Sequence, residues 1–144
     1  MLQIAGLDHV VLRSRDIDAA VHFYCDVLGC RIERKLDIGL VQLRAGAALI
    51  DLVPVDSELG RKGGAPAGDE GRNLDHFCLR VEHFDEAQLC AHLESHGITP
   101  APAAERYGAD GFGLSMYIAD PDGNIVELKG PPLRPVLGIE GRST

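Results

Sequence analysis

Three features are missing from this sequence of 144 residues: tryptophan, an excess of positive charge and a long apolar run. The formal net charge of −8 would repel nucleic acid phosphates and anionic lipids, and no basic stripe offsets it. No apolar run approaches the roughly 20 residues that a membrane-spanning helix needs. The start, Met1-Leu2-Gln3-Ile4, lacks the basic and apolar regions of a secretory signal. We therefore expect a cytoplasmic protein that binds neither nucleic acid nor membranes.

The sequence also lacks any Cys-x-x-Cys pair. Its four cysteines are Cys25, Cys30, Cys78 and Cys90, and most of them stand among apolar neighbours. This placement favours reduced, structural thiols over disulfides, and it argues against a thiolate zinc site.

Length and composition are those of an ordinary globular protein, with 45% hydrophobic and 25% charged residues. A chain of this length can bury one core without staples, so we expect a single domain over residues 1–138. Ile139-Glu140-Gly141-Arg142 spells the recognition sequence of a protease used to remove tags. We therefore expect residues 139–144 to be a tail left by such a tag.

One segment of the sequence occurs twice. Residues 7–13 recur as residues 74–80, an offset of 67 with five of seven positions identical. Both copies alternate in the manner of a strand and place His9 and His76 at equivalent positions. The chain therefore divides into two related halves.

Each half reads as one strand, one helix and three further strands. Asp16 is a typical N-cap for a helix that ends at Gly29, and a second helix ends before Gly97. We predict two βαβββ modules, at about 5–55 and 73–130, joined by a Gly- and Pro-rich linker at about 54–73. The predicted strands after the helices cover residues 31–36, 40–44 and 47–53 in the first half, and residues 98–101, 114–119 and 124–129 in the second.

The last strand of each half carries an acid among aliphatic residues, Asp51 in the first and Glu127 in the second. Burial of an ionised carboxylate costs several kcal/mol unless a cation or good hydrogen bonds compensate. A lone histidine on a strand is usually structural, but the repeat pairs His9 with Asp51 and His76 with Glu127. These donors suit a divalent Zn, Ni, Co, Mn or Fe ion with an open position for substrate.

The motifs resemble those of the vicinal oxygen chelate superfamily, which includes glyoxalase I, extradiol dioxygenases, fosfomycin-resistance enzymes and bleomycin-binding proteins. The resemblance covers about residues 5–130 and is carried by Leu7-Asp8-His9-Val10, Phe23-Tyr24, Val27-Leu28-Gly29, Asp120-Pro121-Asp122-Gly123-Asn124 and Glu127-Leu128. It implies an α+β fold in which the two modules form a cupped eight-stranded mixed sheet. It also implies a homodimer.

The resemblance implies that His9, His76 and Glu127 are metal ligands. Asp51 falls where glyoxalase I has a Glu, and it is expected as a fourth ligand. Glu127 is then the expected catalytic base, with Asp51 as its counterpart.

The spacing of Arg13 and Arg72 from the two histidines resembles that of the substrate-binding arginines of glyoxalase I. Tyr107, which we place in a Gly-rich connection before the final hairpin, is a further candidate for contact with the substrate. We therefore expect a metal-dependent lyase or isomerase acting on a small substrate that chelates through vicinal oxygens. The alternatives are a non-haem Fe(II) ring-cleaving dioxygenase, a fosfomycin-resistance-type enzyme and a drug-sequestering protein.

Overall fold

The structure is a computed structural model that describes residues 1–137, so the expected tail at 139–144 lies outside the described residues. The strands are β1 His9–Ser14, β2 Arg31–Lys35, β3 Val41–Ala45, β4 Ala48–Pro54, β5 Phe77–Arg80, β6 Ala104–Gly108, β7 Gly111–Ala119 and β8 Ile125–Lys129. The helices are α1 Ile17–Val21, which continues as a π-helix over His22–Val27, and α2 Glu86–Ser95, with a short 3₁₀ turn at Gly60–Gly63.

The strands form two four-stranded mixed sheets with the same topology, in the orders β1-β4-β3-β2 and β5-β8-β7-β6. In each sheet the first strand of the half pairs in parallel with the last, and the other pairs are antiparallel. This result confirms the α+β fold of two βαβββ modules. The described residues divide into two compact units, the first formed by residues 1–73 with 120–123 and the second by residues 74–119 with 124–137.

The first helix begins where the sequence predicts. The Asp16 side chain accepts a hydrogen bond from the Ala19 amide at 3.1 Å, which satisfies a free N–H of the first turn. The helix then widens, since the Leu28 amide donates to the Phe23 carbonyl five residues earlier. Gly29 ends it with a φ of +84°, a conformation that favours glycine.

The core of the first unit lies between this helical segment and one face of its sheet. Its members are the buried apolar side chains Leu12, Ala20, Phe23, Tyr24, Val27, Val41, Leu43, Ile50 and Leu52. Since side chains alternate along a strand, the residues between these core positions point to the opposite face of the sheet. That opposite face carries His9, Arg13 and Asp51.

The turn between β7 and β8 belongs to the first unit. The buried Tyr24 hydroxyl donates to Asp120 Oδ2 at 2.7 Å, and the Arg15 amide donates to Asp122 Oδ1 at 2.8 Å. Burial raises the pKa of Tyr24 above its usual value, and the neighbouring Asp120 carboxylate adds to the effect. The hydroxyl therefore stays protonated and acts as a donor.

One predicted strand of the second half is wrong. Residues 98–101 are not a strand, and the strand after α2 is instead β6, Ala104–Gly108. Pro100 and Pro102 have no N–H to donate to a sheet, so regular pairing begins beyond them. The shift places Tyr107 within a strand, whereas the sequence suggested a Gly-rich connection.

The helices give no indication of a membrane span. Within residues 1–137, none combines the length and the apolar character that crossing a bilayer would require.

Candidate metal centre

The first half brings His9 and Asp51 to the same face of their sheet. His9 pairs with Leu49, and Val11 pairs with Asp51, so the alternation of side chains directs the histidine and the carboxylate to one side. Asp51 is buried, with 5% of its surface exposed. Its Oδ2 accepts a hydrogen bond from Gln42 Nε2 at 3.2 Å, whereas its Oδ1 has no partner within residues 1–137.

The second half repeats the arrangement with a direct contact. His76 Nε2 lies 3.2 Å from Glu127 Oε1, and Glu127 has 6% of its surface exposed. Glu127 is flanked across the sheet by Cys78 on β5 and Tyr117 on β7. The Tyr117 ring meets the His76 ring edge to face, with centroids 5.3 Å apart.

Both histidines are oriented by the aspartate that precedes them. His9 Nδ1 lies 2.6 Å from Asp8 Oδ1, and His76 Nδ1 lies 2.7 Å from Asp75 Oδ2. The hydrogen bond to Asp8 raises the pKa of His9 above its usual value, although partial burial acts in the opposite direction. A carboxylate on Nδ1 fixes the imidazole ring and leaves Nε2 for another partner, as in metal-bound histidines.

The two Asp-His pairs are functional candidates that the sequence interpretation missed as pairs. The signal was present, because the dipeptide stands inside the repeated segment at residues 8–9 and 75–76.

The donor chemistry of these side chains fits a divalent ion. Two imidazole nitrogens and two carboxylates are the ligands that Zn, Ni, Co, Mn and Fe accept, and the unpartnered Asp51 Oδ1 is a buried oxygen that a cation would satisfy. Within residues 1–137, no three or more His, Cys, Asp or Glu side chains are grouped as they are around a bound metal ion. The structure therefore contains the donors as one histidine and one carboxylate in each half.

Arg13 and Arg72 both hold backbone segments of the first unit. The Arg13 guanidinium donates to the carbonyls of Gly60, Gly63, Gly64 and Ala65 in the connection between the halves. Arg72 donates to the carbonyl of Gly68 at 2.7 Å and to that of Gly123. The substrate role expected of the two arginines stays a prediction.

Tyr107 does not lie on the sheet face of Glu127. It pairs with Phe112 on β7, one position out of phase with the residues on the Glu127 face, and its hydroxyl accepts a hydrogen bond from the Leu137 amide at 2.9 Å. The residue that alternation directs to the Glu127 face is its neighbour, Arg106, which pairs with Gly113. The sequence interpretation missed Arg106 because it placed this segment in a loop.

The sequence also matches a known protein family. The model of the Glyoxalase/Bleomycin resistance protein/Dioxygenase superfamily matches residues 6–128, so the chain belongs to this superfamily.

Individual relatives are distant. A glyoxalase domain-containing protein of Mycosarcoma maydis is 32% identical over 128 residues, which make up 88% of this chain and 69% of that protein. A lactoylglutathione lyase of Arabidopsis thaliana is 29% identical over 139 residues, and the chain spans 47% of its length. Among solved structures, a virulence protein of Salmonella typhimurium superposes with a TM-score of 0.71 at 27% identity, covering 90% of this chain and 99% of that one.

Proposed function

We propose that the protein is a divalent-metal-dependent lyase or isomerase of the glyoxalase type, acting on a small substrate with two adjacent oxygens. The observation that carries this proposal is the buried carboxylate repeated in both halves, each on one sheet face with a histidine. Membership of the superfamily and the similarity to a lactoylglutathione lyase support it.

The proposed ligands are His9, Asp51, His76 and Glu127. Each histidine has its Nδ1 engaged by an aspartate, so Nε2 is the nitrogen proposed to coordinate the metal. In His76 that nitrogen lies 3.2 Å from Glu127 Oε1, which belongs to another proposed ligand. A bound cation would satisfy the buried Oδ1 of Asp51, which has no hydrogen-bond partner within residues 1–137. A bound divalent ion supplies Lewis acidity to the two substrate oxygens.

The proposed proton carrier is Glu127. Its carboxylate is shielded from water and held beside His76, so it can take a proton from the carbon next to a substrate carbonyl and return it to the neighbouring carbon. Asp51 occupies the equivalent position in the first half and is the proposed counterpart.

We also propose that the protein acts as a cytoplasmic homodimer. The first unit exposes apolar side chains just before its first strand, namely those of Leu2, Ile4 and Leu7. A second copy would cover such surface and recover its burial energy. Sedimentation equilibrium of the purified protein tests the dimer, and a monomer at micromolar concentration would contradict it.

The catalytic proposal is tested by turnover of hemithioacetals. The protein is stripped with chelator, reloaded separately with Zn, Ni, Co, Mn and Fe(II), and assayed as wild type and as Glu127→Gln. We expect metal-dependent turnover that falls about 10²–10⁴-fold in the variant, which is the usual contribution of a general base. Glu105→Gln is the matched control, because Glu105 lies on the opposite face of the same sheet and pairs with Arg134.

The same samples test the dioxygenase alternative, since two histidines and one carboxylate also bind Fe(II) in ring-cleaving enzymes. Oxygen uptake with catechols by the Fe(II) form, without hemithioacetal turnover by any form, would replace the lyase proposal. Equal turnover by wild type and Glu127→Gln would refute the assignment of the base.

A further inference from the structure

Positively charged side chains share the sheet face of Glu127 in the second half. Lys129 follows Glu127 by two residues on β8, Arg80 pairs with Lys129, and Arg106 lies one strand beyond β7. Arg80 is paired with Asp110, at 2.5 Å between Nε and Oδ2. Within residues 1–137, neither Arg106 nor Lys129 forms an ion pair with a carboxylate.

Lys129 is a buried cation for which the sheet makes room. It has 7% of its surface exposed, and its Nζ donates to the carbonyls of Arg106 and Gly113 at 2.7 and 3.3 Å. A Cβ added at Gly108 would lie 2.6 Å from Lys129 Cε, and one added at Gly113 would lie 3.0 Å from Nζ. The two glycines therefore create the space that the ammonium group occupies.

Arg106 is held in a fixed orientation with part of its hydrogen-bonding capacity unused. Its Nη1 donates to the Ser115 carbonyl at 2.8 Å and to the Ser115 hydroxyl at 3.0 Å, and its Cζ lies 4.5 Å from the centroid of the Tyr117 ring. Its Nε and Nη2 have no hydrogen-bond partner among residues 1–137. A guanidinium anchored on one side and stacked on a ring is a preorganised fork for an oxyanion.

The charges on this face do not balance once Glu127 serves a metal. The negative charge of Glu127 then compensates the metal ion. The partly buried Arg106 and the buried Lys129 remain without an anionic partner. Uncompensated buried charge costs several kcal/mol, so the missing partner is expected to be a ligand.

We propose that Arg106, supported by the positive charge of Lys129, binds an anionic group of the substrate, a carboxylate or a phosphate. The inference rests on the proposed function, because the adjacent oxygens of the same substrate are taken to bind the metal beside His76. The Tyr117 ring contacts His76 and Arg106 alike, so one small molecule can reach from the metal ligand to the guanidinium. The substrate class is therefore a small oxygenated acid or phosphate ester.

The test uses three hydroxamates, which chelate a metal through two adjacent oxygens. Acetohydroxamate has no further charge, the monohydroxamate of succinic acid adds a carboxylate, and phosphonoacetohydroxamate adds a phosphonate. Their Kd values are measured by calorimetry on Zn-loaded protein and on chelator-treated protein. We expect one of the charged probes to bind about 10- to 100-fold more tightly than acetohydroxamate, as a charge-assisted fork contributes.

Variants show whether Arg106 causes this preference. Arg106→Gln should bring the three Kd values within about threefold of one another and leave that of acetohydroxamate unchanged, which also shows that the variant is folded and metal-loaded. Arg106→Lys, which keeps the charge but loses the fork, should retain part of the preference. Arg134→Gln is the matched control, because Arg134 also stacks on an aromatic ring, at 4.3 Å from the Phe112 centroid, but is paired with Glu105.

The outcomes separate this inference from the proposed function. Metal-dependent binding of all three probes with equal affinity would refute the anion site and leave the metal site standing. Absence of metal-dependent binding by any probe would refute the metal site and the inference together. The charged probe with the larger preference tells whether a carboxylate or a phosphate is favoured.

Discussion

Replacing Asp51 with Asn should have opposite effects on stability in the absence and the presence of metal. In metal-free protein, the Asp51 carboxylate is only 5% exposed, and its Oδ1 has no hydrogen-bond partner within residues 1–137. An uncompensated buried charge costs several kcal/mol, and Asn removes that charge while keeping an oxygen that can accept the hydrogen bond from Gln42. We therefore expect the free energy of unfolding of metal-free Asp51→Asn to exceed that of wild type by about 1–2 kcal/mol.

Bound metal should make the wild type more stable than Asp51→Asn. A ligand present at 100 times its Kd stabilises the folded state by about 2.7 kcal/mol, and the wild type should gain this amount. Asp51→Asn loses a charged ligand, so its gain at the same metal concentration should be much smaller. The assay is urea unfolding of both proteins with chelator and with saturating metal.

Asp120→Asn is the matched control for this experiment. Asp120 is also buried, but its Oδ2 accepts from the Tyr24 hydroxyl and its Oδ1 accepts from the Asp122 amide. The control variant should lose about 1–3 kcal/mol with or without metal. If Asp51→Asn destabilises the metal-free protein to the same extent, the protein itself holds the Asp51 charge and the reasoning is refuted.

Three further predictions concern parts of the fold away from the proposed ligands. Tyr24→Phe should lower the free energy of unfolding by about 1–3 kcal/mol in urea, because it removes the hydroxyl that donates to Oδ2 of the buried Asp120 carboxylate, and no loss would contradict this role. Gly113→Ala should lower it by about 1–3 kcal/mol, since the added Cβ would lie 2.8 Å from the Pro131 carbonyl oxygen, whereas Gly68→Ala, with open space around it, should not. Burial raises the pKa of Cys30 to about 11, so stability from its neutral thiol is lost as pH rises from about 9 through 11. Iodoacetamide should accordingly label Cys30 at pH 8 far more slowly than an unfolded peptide, and equal rates would contradict the shift.

The parts of the fold that the sequence predicted correctly are those with a local or repeated signal. The duplicated segment at residues 7–13 and 74–80 revealed two modules. The first helical segment begins after Asp16 and ends at Gly29, as the capping preferences of these residues predict. The burial of Asp51 and Glu127 was predictable because each stands within an aliphatic strand.

The predictions that failed concern features that are decided by the pairing between strands. Residues 98–101 were predicted to be a strand, but Pro100 and Pro102 prevent regular pairing, and no other feature of the sequence marks where β6 begins. Because β6 was predicted at the wrong residues, the sequence did not show which of its side chains share the sheet face of Glu127. Arg106 was therefore overlooked, and Tyr107, which lies on the opposite face, was chosen instead.

Metal titration of the chelator-treated protein tests the central claim most directly. Calorimetry with Zn or Ni should show about one ion bound per chain, and His76→Ala should weaken this binding by at least about 10- to 100-fold, the usual effect of disturbing a metal site. His83→Ala, which removes an exposed histidine outside the proposed site, should bind as wild type does. Failure of the wild type to bind a divalent ion, or equal affinity in wild type and His76→Ala, would contradict the account.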